Sequence, residues 1–271
     1  RYLLVERSEV LRARQAMQLS VEPAAHVLGP VGPGDDDDDA GSRPLPGGGP
    51  RVASLPDLPA APVVGVVVAN ELLDNLAFGL LERAEDGWRE VRVSGDLDEV
   101  LVPAAPALAA HAERLVPGAA PGARIPVQRR AAGWLWNALH VVDRGRVVVV
   151  DYAVAATAEL AGRPQHEWLR TYRRGARGAD PLDRPGSQDI TVQICLDQLS
   201  LVAAPSSVRS QRDFLRAHGI DDLVREAARE WRQGAAGGSL AAIRARSRVS
   251  EAEALTDPSG LGAHRVVEWI V

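Results

Sequence analysis

Val63-Val64-Gly65-Val66-Val67-Val68-Ala69, followed at once by Asn70-Glu71, is the stretch on which the fold turns. A run of β-branched and small residues with no polar side chain offers no face to water, so it reads as a fully buried strand. The amide and carboxylate directly behind it mark where the chain leaves the sheet. Two other segments have the same form. Tyr2-Leu3-Leu4-Val5 ends in Glu6, and Val147-Val148-Val149-Val150 ends in Asp151-Tyr152. Both read as buried parallel strands.

Working outward, Ser8 is placed to cap a helix carried on by Leu11, Gln15 and Leu19. Leu76–Arg83 and Trp88–Val93 flank Glu85-Asp86-Gly87, which predicts a β-hairpin. Ala104–Leu115, Ser210–His218 and Asp221–Arg232 follow helical patterns. Ala131–Val142 is apolar nearly all round and predicts a buried helix ended by Arg144-Gly145. Arg163–Gly186, rich in Arg, Gly, Pro and Asp, reads as a long loop. Ile190–Leu196 alternates like a strand, Gly234–Gly238 is a break, and Val266–Val271 is a final strand. Pro30–Pro50, with five adjacent carboxylates at Asp35–Asp39 and the triplet Gly47-Gly48-Gly49, reads as a solvated acidic loop. Strands alternating with helices predict a mainly parallel sheet covered on both faces.

Bulk properties narrow the function. The chain has 271 residues, 46% hydrophobic and 25% charged, with a net charge of −5, which argues against a nucleic-acid or anionic-membrane binder. Every basic residue outside the histidines is arginine. The single cysteine, Cys195, permits neither an intrachain disulfide nor a cysteine-based zinc site, and its strand pattern makes it a small core residue. The longest apolar run is too short to span a bilayer, and no signal peptide opens the chain. A cytoplasmic protein is expected, with no metal.

Ligands of an open parallel sheet bind outside the carboxyl ends of its strands. Glu6, Asn70-Glu71 and Asp151-Tyr152 would then share one rim. An acid ending the second strand of a Rossmann unit can accept both ribose hydroxyls of NAD or of S-adenosylmethionine; alternatively Glu6 serves the helix beginning near Ser8.

The block Val66-Val67-Val68-Ala69-Asn70-Glu71-Leu72-Leu73-Asp74-Asn75-Leu76 resembles the signature of the MidA-like family of class I S-adenosylmethionine-dependent methyltransferases. The resemblance continues at Gly87-Trp88-Arg89-Glu90, Val150-Asp151-Tyr152, Leu169-Arg170-Thr171-Tyr172-Arg173, Pro185-Gly186-Ser187-Gln188-Asp189-Ile190-Thr191 and Ser210-Gln211-Arg212-Asp213-Phe214-Leu215, and the opening Val5-Glu6-Arg7-Ser8 also fits. It implies an α/β fold: a Rossmann-like class I methyltransferase sheet with inserted helical and loop segments. Residues 1–271 would form a single domain lacking its first strand and Gly-rich loop, with 30–50 as the acidic loop and 153–246 as inserted, substrate-side segments. A Rossmann site needs that strand and turn before the strand ending at Glu6; neither lies in these residues, and Gly47-Gly48-Gly49 precedes no clear helix.

Mitochondrial members of the family are protein arginine methyltransferases that assist assembly of respiratory complex I, so the resemblance implies a protein substrate. It also implies S-adenosylmethionine as cofactor, held by Glu6, Asn70, Asp151 and Tyr152, with Asn70, Glu71 and Asp74 at the reaction centre. Departures stand at Gln193-Ile194-Cys195-Leu196, where the family has His-Val-Asp-Phe, and at Arg174, Ala77 and Ala153, where it has His, Pro and Gly. They motivate a second reading, a catalytically weakened binding or assembly factor. A nicotinamide dehydrogenase, which Glu6 alone would permit, is disfavoured by the Asn70-Glu71 block.

Overall fold

The computed structural model describes residues 1–28, 50–178, 180–237 and 239–271. The expected acidic loop therefore lies, apart from Pro50, outside the described residues. The chain forms two compact units, residues 1–64 with 140–143 and residues 65–139 with 144–271.

The first unit contains β1 (Tyr2–Val5), α1 (Glu9–Gln18), α2 (Ala24–Leu28) and β2 (Val52–Leu55). β1 and β2 pair in parallel, from Tyr2 opposite Val52 to Val5 opposite Leu55. The parallel pairing matches expectation; the burial does not. Tyr2 is 61% and Val5 42% exposed, because a sheet two strands wide cannot cover both its faces. α2 packs on β2 and buries Val27 and Ala53. Ser8 caps α1 as expected, its hydroxyl accepting the Leu11 N–H.

The second unit runs from β3 (Val63–Asn70), all but its first two residues, through a 3-10 turn at Leu73–Asn75 to β4 (Gly79–Ala84), β5 (Gly87–Val93), β6 (Glu99–Pro103), α3 (Pro106–Leu115), β7 (Arg124–Val127) and α4 (Arg129–Val141), all but its last two residues. There follow β8 (Val142–Asp151), all but its first two residues, β9 (Ala153–Val154), α5 (Ala158–Ala161), α6 (Gln165–Trp168), β10 (Leu169–Arg173), β11 (Ala176–Arg177), β12 (Asp189–Val192) and β13 (Ile194–Cys195). The chain closes with α7 (Leu196–Ser200), β14 (Ser207–Ser210), α8 (Gln211–Ala217), α9 (Ile220–Gly234), α10 (Leu240–Thr256) and β15 (Arg265–Ile270).

Its central sheet has the order β14-β15-β8-β3. β15 runs antiparallel to both neighbours, with Arg265 opposite Asp151. β3 and β8 run the same way: a Cβ on Gly145 would collide with the Gly65 carbonyl at one end, and the Glu71 N–H donates to the Val150 carbonyl at the other. A second sheet, β6-β5-β4-β7, is wholly antiparallel. It buries Leu81, Trp88 and Ile125 against Leu108 and Ala112 of α3. A third sheet, β11-β10-β12, is also antiparallel, and β13 pairs in parallel with β9.

The α/β class is as expected, but several local readings are corrected. The strands are not mainly parallel, because tight returns such as Glu85-Asp86 between β4 and β5 force antiparallel pairing. β3 is not fully buried. Successive side chains leave opposite faces of a strand, and the face carrying Val64, Val66 and Val68 is 63%, 60% and 64% exposed. α4 buries one face, Ala131, Leu135 and Ala138, while Trp136 is exposed. It passes directly into β8, so Arg144-Gly145 ends nothing. The expected loop 163–186 contains α6, β10 and β11, and the strand expected at 190–196 breaks at Gln193 and turns into α7 at Leu196. No helix among the described residues is long and apolar enough to cross a membrane.

Candidate active site

The valine run of β8 delivers Asp151 to the end of the central sheet, where it is 1% exposed. A carboxylate this deep must be hydrogen-bonded. Its Oδ2 accepts the N–H groups of Leu73 and Asp74 at 3.1 and 3.2 Å, and its Oδ1 accepts that of Tyr152 at 2.9 Å. The Leu73–Asn75 turn begins with N–H groups that its own carbonyls cannot satisfy. Asp151 satisfies two of them, and so fixes the chain as it leaves β3. Its oxygens are committed to backbone, so Asp151 acts as a support for the rim.

Glu71 is the hinge of that exit. Its N–H extends the β3–β8 ladder by one bond, and its φ of 47° then turns the chain through the left-handed region. A residue with a Cβ adopts this conformation at a cost of about 1–2 kcal/mol, and such strain gathers at functional sites. Glu71 and Asn70 are both exposed at the strand end.

Asp74, 3% exposed, lies beneath them. Its Oδ1 accepts a bond of 2.7 Å from the Asn75 amide, which also donates to the Glu71 carbonyl. Burial, with the nearby Glu71 charge, pushes the Asp74 pKa up to about 6. Burial and the charge of Asp74 push Asp151 up to about 7. Among the described residues, no arginine forms an ion pair with Glu71, Asp74 or Asp151. The site is therefore short of positive charge.

Tyr152 forms a wall. Its ring centroid lies 3.9 Å from that of His264, and the Arg170 guanidinium carbon sits 6.0 Å from its ring centre. Burial, with Glu71 and Tyr172 nearby, raises its phenol. His264 was not anticipated from the sequence. It is 3% exposed, and its Nε2 lies 4.0 Å from Glu71 Oε1. It enters the site only because β15 pairs with β8, which sets it beyond the Arg265–Asp151 pair.

Glu6 ends β1 as expected. Its Oε1 accepts the Ser8 N–H at 2.7 Å, so the helix-supporting role is realised. A carboxylate offers about four acceptor positions, and this bond occupies one of them.

Cys195 is a core residue as expected, 0% exposed, with its thiol pushed up to about 12 by burial. Gln193 is also structural: its carbonyl accepts a bond from Gln128 and its side-chain oxygen one from Arg163. Among the described residues, no cluster of three or more His, Cys, Asp or Glu side chains is arranged for a metal ion.

Two solved structures from Burkholderia thailandensis share the fold. One, of a likely methyl transferase bound to S-adenosyl-homocysteine, is 23% identical with a TM-score of 0.71, covering 100% of this chain and 64% of its own. The other, an uncharacterized protein of the same superfamily, is 24% identical with a TM-score of 0.66, covering 82% of this chain and 59% of its own. This chain thus spans less than two thirds of either. No curated protein matches it. A protein family described as "Putative S-adenosyl-L-methionine-dependent methyltransferase" matches residues 1–212. That family's cofactor is the one the MidA-like resemblance implied, the match is consistent with that resemblance, and the chain belongs to the family.

Proposed function

We propose that the chain carries the acceptor side of an S-adenosylmethionine-dependent methyltransferase that modifies an arginine side chain of a protein. The observation that carries this reading is the group of three carboxylates at the end of β3 and β8 with no ion-paired arginine among the described residues. Two of them are buried, with pKa values raised to about 6 and about 7, and Glu71 is the exposed carboxylate of the three. Such a site gains most from a cation. A guanidinium is always protonated near neutral pH and is a poor nucleophile, so its enzyme must hold and polarise one nitrogen. Glu71 offers a charged acceptor, and Asn70 an amide oxygen beside it. Asp74 and Asp151 fix the turn on which Glu71 stands.

S-adenosylmethionine would supply the methyl group. Glu6 fits the ribose end, since its free acceptor positions suit a vicinal diol and its strand-end position suits a nucleotide. The departures at Gln193 and Cys195 fall in a structural hydrogen-bond network and an apolar cluster. They therefore remove no group from the Glu71 cluster, and this favours an enzyme over the binding-factor reading.

The test uses labelled cofactor with cell extract, comparing the full-length wild-type protein with its Glu71→Gln variant, which keeps shape and loses charge. Wild type should label protein on arginine. The variant should bind S-adenosylhomocysteine as well as wild type and transfer methyl about a hundredfold more slowly, as for loss of a preorganised electrostatic contact. Equal labelling by both would remove Glu71 from the reaction. Cofactor binding with no transfer by wild type would favour the binding factor.

A further inference from the structure

His264 is held by three independent contacts. Its Nδ1 lies 2.8 Å from the Leu261 carbonyl, its ring is tilted at 48° against that of Tyr152, and its own carbonyl accepts the Gln211 N–H at 2.8 Å. A carbonyl only accepts, so the proton of the neutral ring sits on Nδ1 and Nε2 presents a lone pair. Yet Nε2 is buried with no hydrogen-bond partner. Its separation of 4.0 Å from Glu71 Oε1 is too long for a hydrogen bond, and the two face one another. A nitrogen with two N–H groups can reach both.

We infer that His264 is a catalytic residue whose Nε2 takes the proton lost by the nitrogen being methylated. The inference rests on the function proposed above for the reaction itself. A guanidinium gripped by Glu71 directs a second N–H at Nε2. As its nitrogen forms the new N–C bond, the sulfonium C–S bond breaks and that electron pair stays on sulfur as a neutral thioether. The nitrogen's surplus proton passes to Nε2. This leaves an imidazolium beside the Glu71 carboxylate, and the proton then returns to water. The other candidates for this role are occupied. Asp151 is bound to three backbone N–H groups, Asp74 to Asn75, and Glu71 is needed as the anion. The Tyr152 phenol, raised by burial, keeps its proton.

The test is long-range nitrogen–proton NMR of the full chain labelled at its 6 histidines. The His264 signal is assigned by its loss in His264→Asn, which keeps an N–H for the Leu261 carbonyl. In the free protein Nε2 should carry no proton. Nα-acetylarginine amide, added with S-adenosylhomocysteine, should move Nε2 toward its hydrogen-bonded range in wild type but not in Glu71→Gln. His264→Asn should lower methyl transfer about a hundredfold with S-adenosylhomocysteine affinity unchanged, and imidazole should partly restore His264→Gly. A response to Nα-acetyllysine amide alone would sustain His264 and sink the arginine reading. Calorimetric binding of the arginine amide that needs Glu71 but leaves His264 silent would do the reverse. A proton on Nε2 in the free protein, or silence toward both probes, overturns the inference.

Discussion

Two polar clusters lie in the larger unit, and they are built from similar parts. In one, Gln198 Oε1 accepts the Gln128 N–H, while its Nε2 donates to the Pro126 carbonyl and to Thr157 Oγ1. Thr157 donates from both its N–H and its hydroxyl to Asp197, which also accepts the Gln198 N–H. Gln128 in turn joins the Gln193 carbonyl and the Cys195 N–H. In the other cluster, Asp151 likewise accepts three bonds. The count of bonds around the central carboxylate is therefore the same. What differs is the company: a second buried carboxylate beside Asp151, a strained third above it, and an imidazole nitrogen with nothing to bind. Neutral amides close a network on itself; crowded charge leaves one open to a ligand. The first cluster holds β7, α7 and the β9–α5 connection together, and the second waits for a partner.

Breaking the closed cluster should have the largest effect on stability. Gln198→Leu leaves the Gln128 N–H, the Pro126 carbonyl and the Thr157 hydroxyl short of partners at a buried site. The expected loss is on the order of 3–5 kcal/mol, each orphaned group costing about 1–3 kcal/mol. Urea unfolding followed by circular dichroism reads this directly. A loss below about 1 kcal/mol would mean that the network is not what secures this region.

Glu6 belongs to either type of cluster, and one pair of variants sorts it. Glu6→Gln keeps an acceptor for the Ser8 N–H but gives up the charge; Glu6→Ala gives up both. If Glu6 holds the cofactor ribose, both variants should weaken S-adenosylmethionine binding by about tenfold or more, since a hydrogen bond to a charged group contributes roughly 1.5–3 kcal/mol. If it only supports α1, Glu6→Gln should bind as wild type does, by isothermal calorimetry.

These clusters were unequally legible in the sequence. The runs before Asn70 and Asp151 announced their strands because unbroken β-branched residues have few other uses. The polar residues behind them pointed to a rim, and Asn70, Glu71, Asp74, Asp151 and Tyr152 do gather there. Val64, Val66 and Val68 misled, because composition alone cannot say that one face of β3 is uncovered. β10 was hidden in an arginine-rich segment, since Arg170 and Arg173 occupy positions that sequence patterns assign to loops. α10 is rich in alanine and has no strong apolar stripe. His264 gave no signal at all. Its place in the site depends on β15 folding back on β8, a pairing that no local pattern encodes.

The open cluster should also betray itself in the pH dependence of stability. The folded-state pKa values of Asp74 and Asp151, about 6 and about 7, lie above the ordinary value of 3.8. Between those limits the folded chain binds more protons than the unfolded one, so stability falls as pH rises from about 4 to about 7 and is level above that. Asp74→Asn keeps the acceptor for Asn75 and removes one of the two titrations. It should flatten the slope and raise stability at pH 8 by on the order of 3 kcal/mol, at about 1.4 kcal/mol for each of the roughly two units by which burial raises Asp74. Denaturant unfolding at pH 5 and pH 8 checks the sign. A slope unchanged in the variant would show that Asp74 ionises freely.

The smallest effect tests the strain at the hinge. Glu71 holds a φ of 47° while its side chain stands exposed, with no hydrogen bond of its own to compensate for the backbone. Glycine reaches that conformation without a Cβ clash, although it loses more entropy on folding, about 0.5–1 kcal/mol. Alanine keeps the clash of about 1–2 kcal/mol and loses the carboxylate. Glu71→Gly should therefore be more stable than Glu71→Ala by roughly 0.5–1 kcal/mol. It should be at least as stable as wild type above pH 7, where removing the Glu71 charge also eases ionisation of Asp74 beneath it. Both variants should lose methyl transfer alike. That combination, stability kept or gained while activity vanishes, is what distinguishes a residue strained for chemistry from one retained for the fold, as Gln198 is. If instead Glu71→Gly proves less stable than Glu71→Ala, the left-handed turn is no burden to the chain. Glu71 would then owe its position to the β3–β8 ladder rather than to the site.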